Sequence, residues 1–133
     1  MFDAKDIDFV KIEADPADGM DEGTAMGSGF AVGGGVAAAV AEAIKHIAPN
    51  RTVKVSCGDG LKECKKMLIL AKAGKLEGCL LEGMACPGGC VAGAGTITPV
   101  RDSTENVKSF SKTAPSVSCT DSPYADKLES VEE

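Results

Sequence analysis

The chain has no tryptophan, and four phenylalanines and one tyrosine are its only aromatic residues. It also lacks a basic excess: fourteen Lys and Arg stand against twenty Asp and Glu, for a formal net charge of -6. Nucleic-acid binding draws on cations that neutralise phosphates and aromatic faces that stack on bases, so both shortages argue against it. Long hydrophobic runs are missing as well. Every apolar stretch is interrupted well before the roughly 20 residues of a membrane-spanning helix, so no membrane partner is expected. Residues 1–19, MFDAKDIDFVKIEADPADG, carry acids where a secretory signal carries a basic patch and an apolar run. A cytoplasmic, reducing setting is therefore expected. There, six cysteines read as thiolates, metal ligands or core fillers rather than as a disulfide framework.

What is present fits one folded unit. A length of 133 residues, with 44% hydrophobic and 26% charged residues, suits a single modest core. Ile7, Phe9, Val10 and Ile12 among charges predict a short strand over Asp6 to Ile12. The stretch GTAMGSGFAVGGG is rich enough in glycine to predict a loop through much of its length. From Gly34 to Ile47, Val36, Val40, Ala43, Ile44 and Ile47 recur at helical intervals, and Pro49-Asn50 ends the helix.

In TVKVSC, Val53, Val55 and Cys57 alternate with polar residues and predict a strand, which Gly58-Asp59-Gly60 turns into a helix over Leu61 to Ala73. Leu61, Cys64, Leu68 and Ala71 share one face of that helix, and Gly74 is placed to cap it. Leu76 to Met84 supplies the next buried strand. Strand, helix, strand, helix, strand predicts an α/β fold: a parallel sheet of about three to four strands in βαβαβ order, with flanking helices and ligands beyond the strands' carboxyl ends. After about Thr98 the composition turns to Ser, Thr, Lys, Pro and acids. The expected organisation is one domain over 1–98 and a polar tail over 99–133, partly helical or disordered, with a short helix from Val107 to Lys112 and much of the rest mobile.

The chemistry concentrates where the last strand runs into Glu82-Gly-Met84-Ala85-Cys86-Pro87-Gly88-Gly89-Cys90. Pro87 stiffens the corner, and Gly88 and Gly89 would let amide N–H groups approach an anionic sulfur cluster with no Cβ in the way. A C-x3-C pair is half of a four-thiolate site. Iron–sulfur ligation is the leading reading, with zinc ligation and a purely structural turn as alternatives.

The string MACPGGC followed by VAGAG resembles the third signature motif of the catalytic domain of [FeFe]-hydrogenases, in the C-terminal lobe of the H-cluster domain. GSGFAVGGGVAAAVAEAI is similar to that family's Gly-rich loop and helix, and VKVSCGDGLKECKKML to its next strand and helix, so the likeness covers residues 23 to 98. The resemblance implies that Cys86 binds the [4Fe-4S] cubane alone, that Cys90 bridges it to the diiron subsite, and that Met84 packs against the diiron ligands. Ala85, Pro87, Gly88 and Gly89 would complete the cofactor contact. The family's two other cluster-binding cysteines belong to motifs of the form T-S-C-C-P and M-P-C-x-x-K, and neither string occurs here. With them are missing a proton-relaying cysteine and a lysine that holds a cyanide ligand. Ala94 in place of a glycine and Thr96-Ile97 in place of Gln-Pro resemble a divergent clostridial-type branch.

By this resemblance the chain is half of an active site, excised from a longer protein and inactive alone. Its partners would be an N-terminal lobe and, through the complete protein, a ferredoxin-type electron donor.

Of the remaining cysteines, Cys64 and Cys79 read as buried fillers and Cys119 as an exposed thiol. Cys57, at a strand's carboxyl end, is open between filler and metal or redox chemistry. His46 suits a helix C-terminus, and Glu82 could order the CPGGC turn by accepting its amide hydrogens. Two competing readings stand beside the hydrogenase lobe. One is a thioredoxin-like [2Fe-2S] carrier using Cys57, Cys64, Cys86 and Cys90; the other is a metal-free regulatory or scaffold lobe.

Overall fold

The alternation of strand and helix produces parallel pairing of β1 (Lys54–Asp59) with β2 (Cys79–Met84). The structure is a computed structural model that describes residues 2–8, 10–13 and 23–127. In the register, Cys57 stands opposite Glu82, Gly58 opposite Gly83, and Asp59 opposite Met84. Before β1 come the one-turn helix α1 (Ala25–Ser28), a 3-10 turn over Gly29–Ala31, and α2 (Gly35–Ile47). Helix α3 (Leu61–Lys72) joins the two strands, and α4 (Val100–Ser111) follows the CPGGC turn.

Side chains of adjacent strand residues point to opposite faces, and this assigns one helix to each face of the sheet. Over the Gly58–Gly83 face lies α3. A Cβ on Gly58 would come within 2.9 Å of Cys64 Cα, and one on Gly83 within 3.1 Å of Cys64 Sγ. Two paired glycines thus make the depression into which Cys64 fits. Over the Cys57–Glu82 face lies the N-terminus of α2, whose amides meet Glu82. Among the described residues Ala37, Met67 and Val91 are the buried apolar side chains, each contributed by a different element around the sheet.

Two strands are seen among the described residues, against the three or four expected. The segment from Asp6 to Ile12 is not one of them, Phe9 lying outside the described residues. Asp6 adopts a left-handed conformation (φ 52), and Asp8 draws the chain into a turn: its Oδ1 accepts from Val10 N–H at 3.2 Å and its carbonyl accepts from Lys11 N–H at 3.0 Å. Ile7, Val10 and Ile12 are exposed. Local Asp-to-backbone bonding, with no neighbouring strand among the described residues to pair with, explains the difference.

Three other boundaries move. β2 starts at Cys79 rather than Leu76, because residues 73–78 form turns with Gly74 (φ 73) and Gly78 (φ 71) left-handed. The Gly-rich segment is helical over α1 and the following 3-10 turn, started by Thr24, whose side chain accepts from Gly27 N–H at 3.0 Å. The polar C-terminal segment carries more regular structure than the stretch Val107 to Lys112. Helix α4 begins at Val100, directly after Pro99, and packs against α1 and the 3-10 turns. Beyond it, Ser116 and Val117 carbonyls accept from Ala25 and Met26 N–H at 2.8 and 3.0 Å.

Candidate metal centre

Beyond Met84 the chain turns through Cys86-Pro87-Gly88-Gly89. Gly89 N–H donates to the Cys86 carbonyl at 3.0 Å, with Pro87 second and Gly88 third in the turn at φ 94, the arrangement of a type II turn. Gly89 is itself left-handed (φ 89) and buried, and a Cβ there would lie 2.6 Å from Gly33 N and 2.8 Å from Ala31 O. The Gly-rich loop therefore lies directly on the turn, tied to it by Gly33 N–H donating to Gly88 O at 3.2 Å. Cys90 opens a 3-10 turn, Cys90–Ala92, anchored by buried Val91.

The turn's amides are engaged within the chain. Gly88 N–H donates to Asp59 Oδ1 at 2.8 Å, and Gly89 N–H to Cys86 O. Both amides are thus satisfied within the chain, and the two glycines serve backbone conformation and close packing. Asp59 is the carboxylate that sequence reasoning missed. Its one signal was its place between two glycines at the end of β1.

Glu82 does something else than order the turn. Only 8% exposed, it accepts Gly34 N–H on Oε1 at 3.2 Å and Ala37 N–H on Oε2 at 3.1 Å, capping α2 from 45 to 48 residues away. A carboxylate at a helix N-terminus satisfies amides without intrahelical partners and complements the dipole. The Cys57 thiol lies 3.8 Å from the same Oε2. Although the residue as a whole is exposed, partial desolvation of its sulfur first, and then the Glu82 charge and hydrogen bond, push its pKa up. Each of these causes works against forming a thiolate at Cys57.

Cys57, Asp59, Glu82, Met84 and Gly88 line one cavity of about 330 Å³ at the carboxyl ends of the strands, where an α/β sheet was expected to gather ligands. Cys86 and Cys90 do not line it. They stand at the two ends of the turn, Cys86 half-buried and Cys90 exposed; Ala85 and Pro87 are exposed, with Pro87 against Gly60.

The other cysteines are placed elsewhere. Cys64 donates toward Gly58 O at 3.3 Å and Met84 O at 3.5 Å, as a packed filler would. Cys79 is half-buried at the start of β2, Cys119 is exposed, and His46 sits in the last turn of α2, 3.8 Å from Glu42.

Two thiols on a rigid corner suit iron–thiolate coordination, and among the described residues neither Cys86 nor Cys90 has a hydrogen-bond partner that would compete for its sulfur. No group of three or more His, Cys, Asp or Glu able to hold a metal ion occurs among the described residues. The four-cysteine arrangement of the electron-carrier reading is thus not assembled, since Cys64 is engaged with carbonyls over the sheet. The residues fit half of a cluster's ligand set. Among the described residues no helix is long and apolar enough to cross a membrane.

Comparison with curated proteins finds no match. A protein-family match covers residues 1–94, described as iron only hydrogenase large subunit, C-terminal domain. Together with the CPGGC corner at the end of a parallel strand, this match over more than two thirds of the sequence shows that the chain belongs to the family formed by the C-terminal domain of the iron-only hydrogenase large subunit.

Proposed function

We propose that this domain supplies two of the four cysteine ligands of an H-cluster: Cys86 to the [4Fe-4S] cubane, and Cys90 between the cubane and the diiron subsite. When bound, that group supplies the interconversion of protons and electrons with H2. The observation that carries the reading is the pair of thiols, unpartnered among the described residues, at the ends of a turn whose backbone amides are already engaged.

The chain's own residues hold the corner. Pro87 and Gly88 set the turn, Gly89 admits the Gly-rich loop, and Glu82 caps the helix behind it. Met84 lines the neighbouring cavity and would offer a soft, apolar side chain to the bound group. Ala85, Pro87, Gly88 and Gly89 would form the wall against which the cluster rests.

Two ligand positions then belong to a second lobe, without which the domain does not turn over, and the complete protein exchanges electrons with a ferredoxin-type donor. Exposed apolar residues support a missing neighbour: Leu61, Leu68, Ile69, Ile97 and Phe110 are each more than half exposed.

Anaerobic reconstitution with ferrous iron and sulfide, followed by EPR, tests the proposal on the chain alone and with an N-terminal hydrogenase lobe added. A stoichiometric cluster should form only with the second lobe, and C86S or C90S should abolish it while C57S, C64S, C79S and C119S leave it intact. Cluster formation that needs Cys57 or Cys64 would overturn the assignment.

A further inference from the structure

We infer that Asp59 is a positioning residue for the Cys86–Cys90 corner, and that its carboxylate sets the reduction potential of the cluster held there; this rests on the reading of Cys86 and Cys90 as cluster ligands. Three observations converge on Asp59. Its Oδ1 accepts from Gly88 N–H at 2.8 Å, bridging 29 residues of sequence from the end of β1 to the middle of the turn. The register delivers it there, because Asp59 faces Met84 across the ladder, and the next residue, Gly60, donates its N–H to Met84 O at 2.8 Å. Gly60 also lies against Pro87, so the end of β1 and the glycine that follows it hold the turn at its first glycine and at its proline. The Gly88 carbonyl is held from the other side by Gly33 N–H, which leaves the peptide units around Gly88 little freedom to rotate.

A carboxylate adds a second effect that a neutral acceptor lacks. One-electron reduction adds negative charge to a cluster on Cys86 and Cys90, and the Asp59 carboxylate, solvent-exposed but fixed on the Gly88 amide two residues from each cysteine, opposes it. Asp59 therefore poises the cluster toward low potential, the direction needed to pass electrons to protons.

Asp59→Asn keeps an acceptor oxygen and removes the charge, whereas Asp59→Ala removes both. In the full chain without iron, amide hydrogen exchange at Gly88, followed by NMR, should accelerate roughly tenfold or more in D59A and stay near wild type in D59N. Equal Gly88 exchange in all three proteins overturns the positioning role. After anaerobic reconstitution with ferrous iron and sulfide in the presence of the second lobe, D59A should hold iron roughly 10–100-fold more weakly. D59N should retain full iron with its midpoint potential shifted upward in an EPR-monitored titration. An unshifted D59N potential overturns the electrostatic role. If wild type takes up iron and D59A matches it, the inference about Asp59 fails and the ligand assignment stands. If wild type takes up none, the ligand assignment fails and Gly88 exchange alone decides whether Asp59 orders the turn.

Discussion

Cys57 and Glu82 face each other across the parallel ladder, and the thiol of one lies 3.8 Å from the carboxylate of the other. This pairing joins the strand that leads to Asp59 with the strand that leads to Cys86, on the face where α2 begins. Glu82 spends both oxygens on α2 amides, so a single buried carboxylate ties the sheet to the Gly-rich loop, which in turn lies on the CPGGC corner.

Glu82 should therefore be a stability residue. In E82A the Gly34 and Ala37 amides lose their acceptor, and the expected cost is about 1–3 kcal/mol, read from urea denaturation. E82Q should cost less, because its carboxamide oxygen still accepts from one amide. An E82A chain as stable as wild type would show that water replaces the carboxylate without loss.

The raised Cys57 thiol gives the domain an alkaline weakness. Its folded-state pKa lies above the unfolded one, so the protonated form favours folding. That contribution is complete below the ordinary thiol value of about 8.5 and disappears as pH climbs through the raised folded value. Denaturation midpoints should fall across this alkaline range. C57A should remove this contribution to the decline, and E82Q should reduce it without abolishing it, because desolvation remains.

Cys64 tests packing separately from ligation. Its sulfur occupies the hollow above Gly58 and Gly83, so C64V should overpack it and destabilise the domain by about 1–3 kcal/mol. Iron content after reconstitution with the second lobe should be unchanged. Loss of iron at unchanged stability would be the opposite pattern, that of a ligand.

Gly89 tests the seating of the Gly-rich loop on the corner. G89A places a methyl group 2.6 Å from Gly33 N while forcing a left-handed conformation on a residue with a Cβ, and it should cost at least about 2 kcal/mol in thermal or urea unfolding. Wild-type stability in this variant would mean that the loop can lift away from the turn.

The extents of α2, α3 and β1 were legible from apolar periods, as in VAAAVAEAIKHI and TVKVSC, but the faces were not: α3 buries Met67 while Leu61 and Leu68 are exposed, and β1 buries Gly58 rather than Val55 or Cys57. Where local chemistry competes with period, reading failed. Asp8 turned a strand-like stretch into bends, and Gly74 with Gly78 consumed the first residues assigned to β2. The polar composition of VRDSTENVKSFS hid most of α4, whose partners lie at α1 and in the turns.

The amino-acid sequence by itself determined the corner, since Pro87, Gly88 and Gly89 encode a turn through their own backbone preferences, and Cys86 and Cys90 are carried at its ends whatever surrounds them. Which carboxylate holds which amide was decided only by the tertiary structure. Glu82 sits four residues from Cys86 yet caps a helix 45 residues earlier, whereas Asp59, 29 residues away, holds Gly88. The physical reason is that strand pairing and the alternation of side chains across the sheet bring distant groups within hydrogen-bond reach and turn near neighbours away, and no local period records that register.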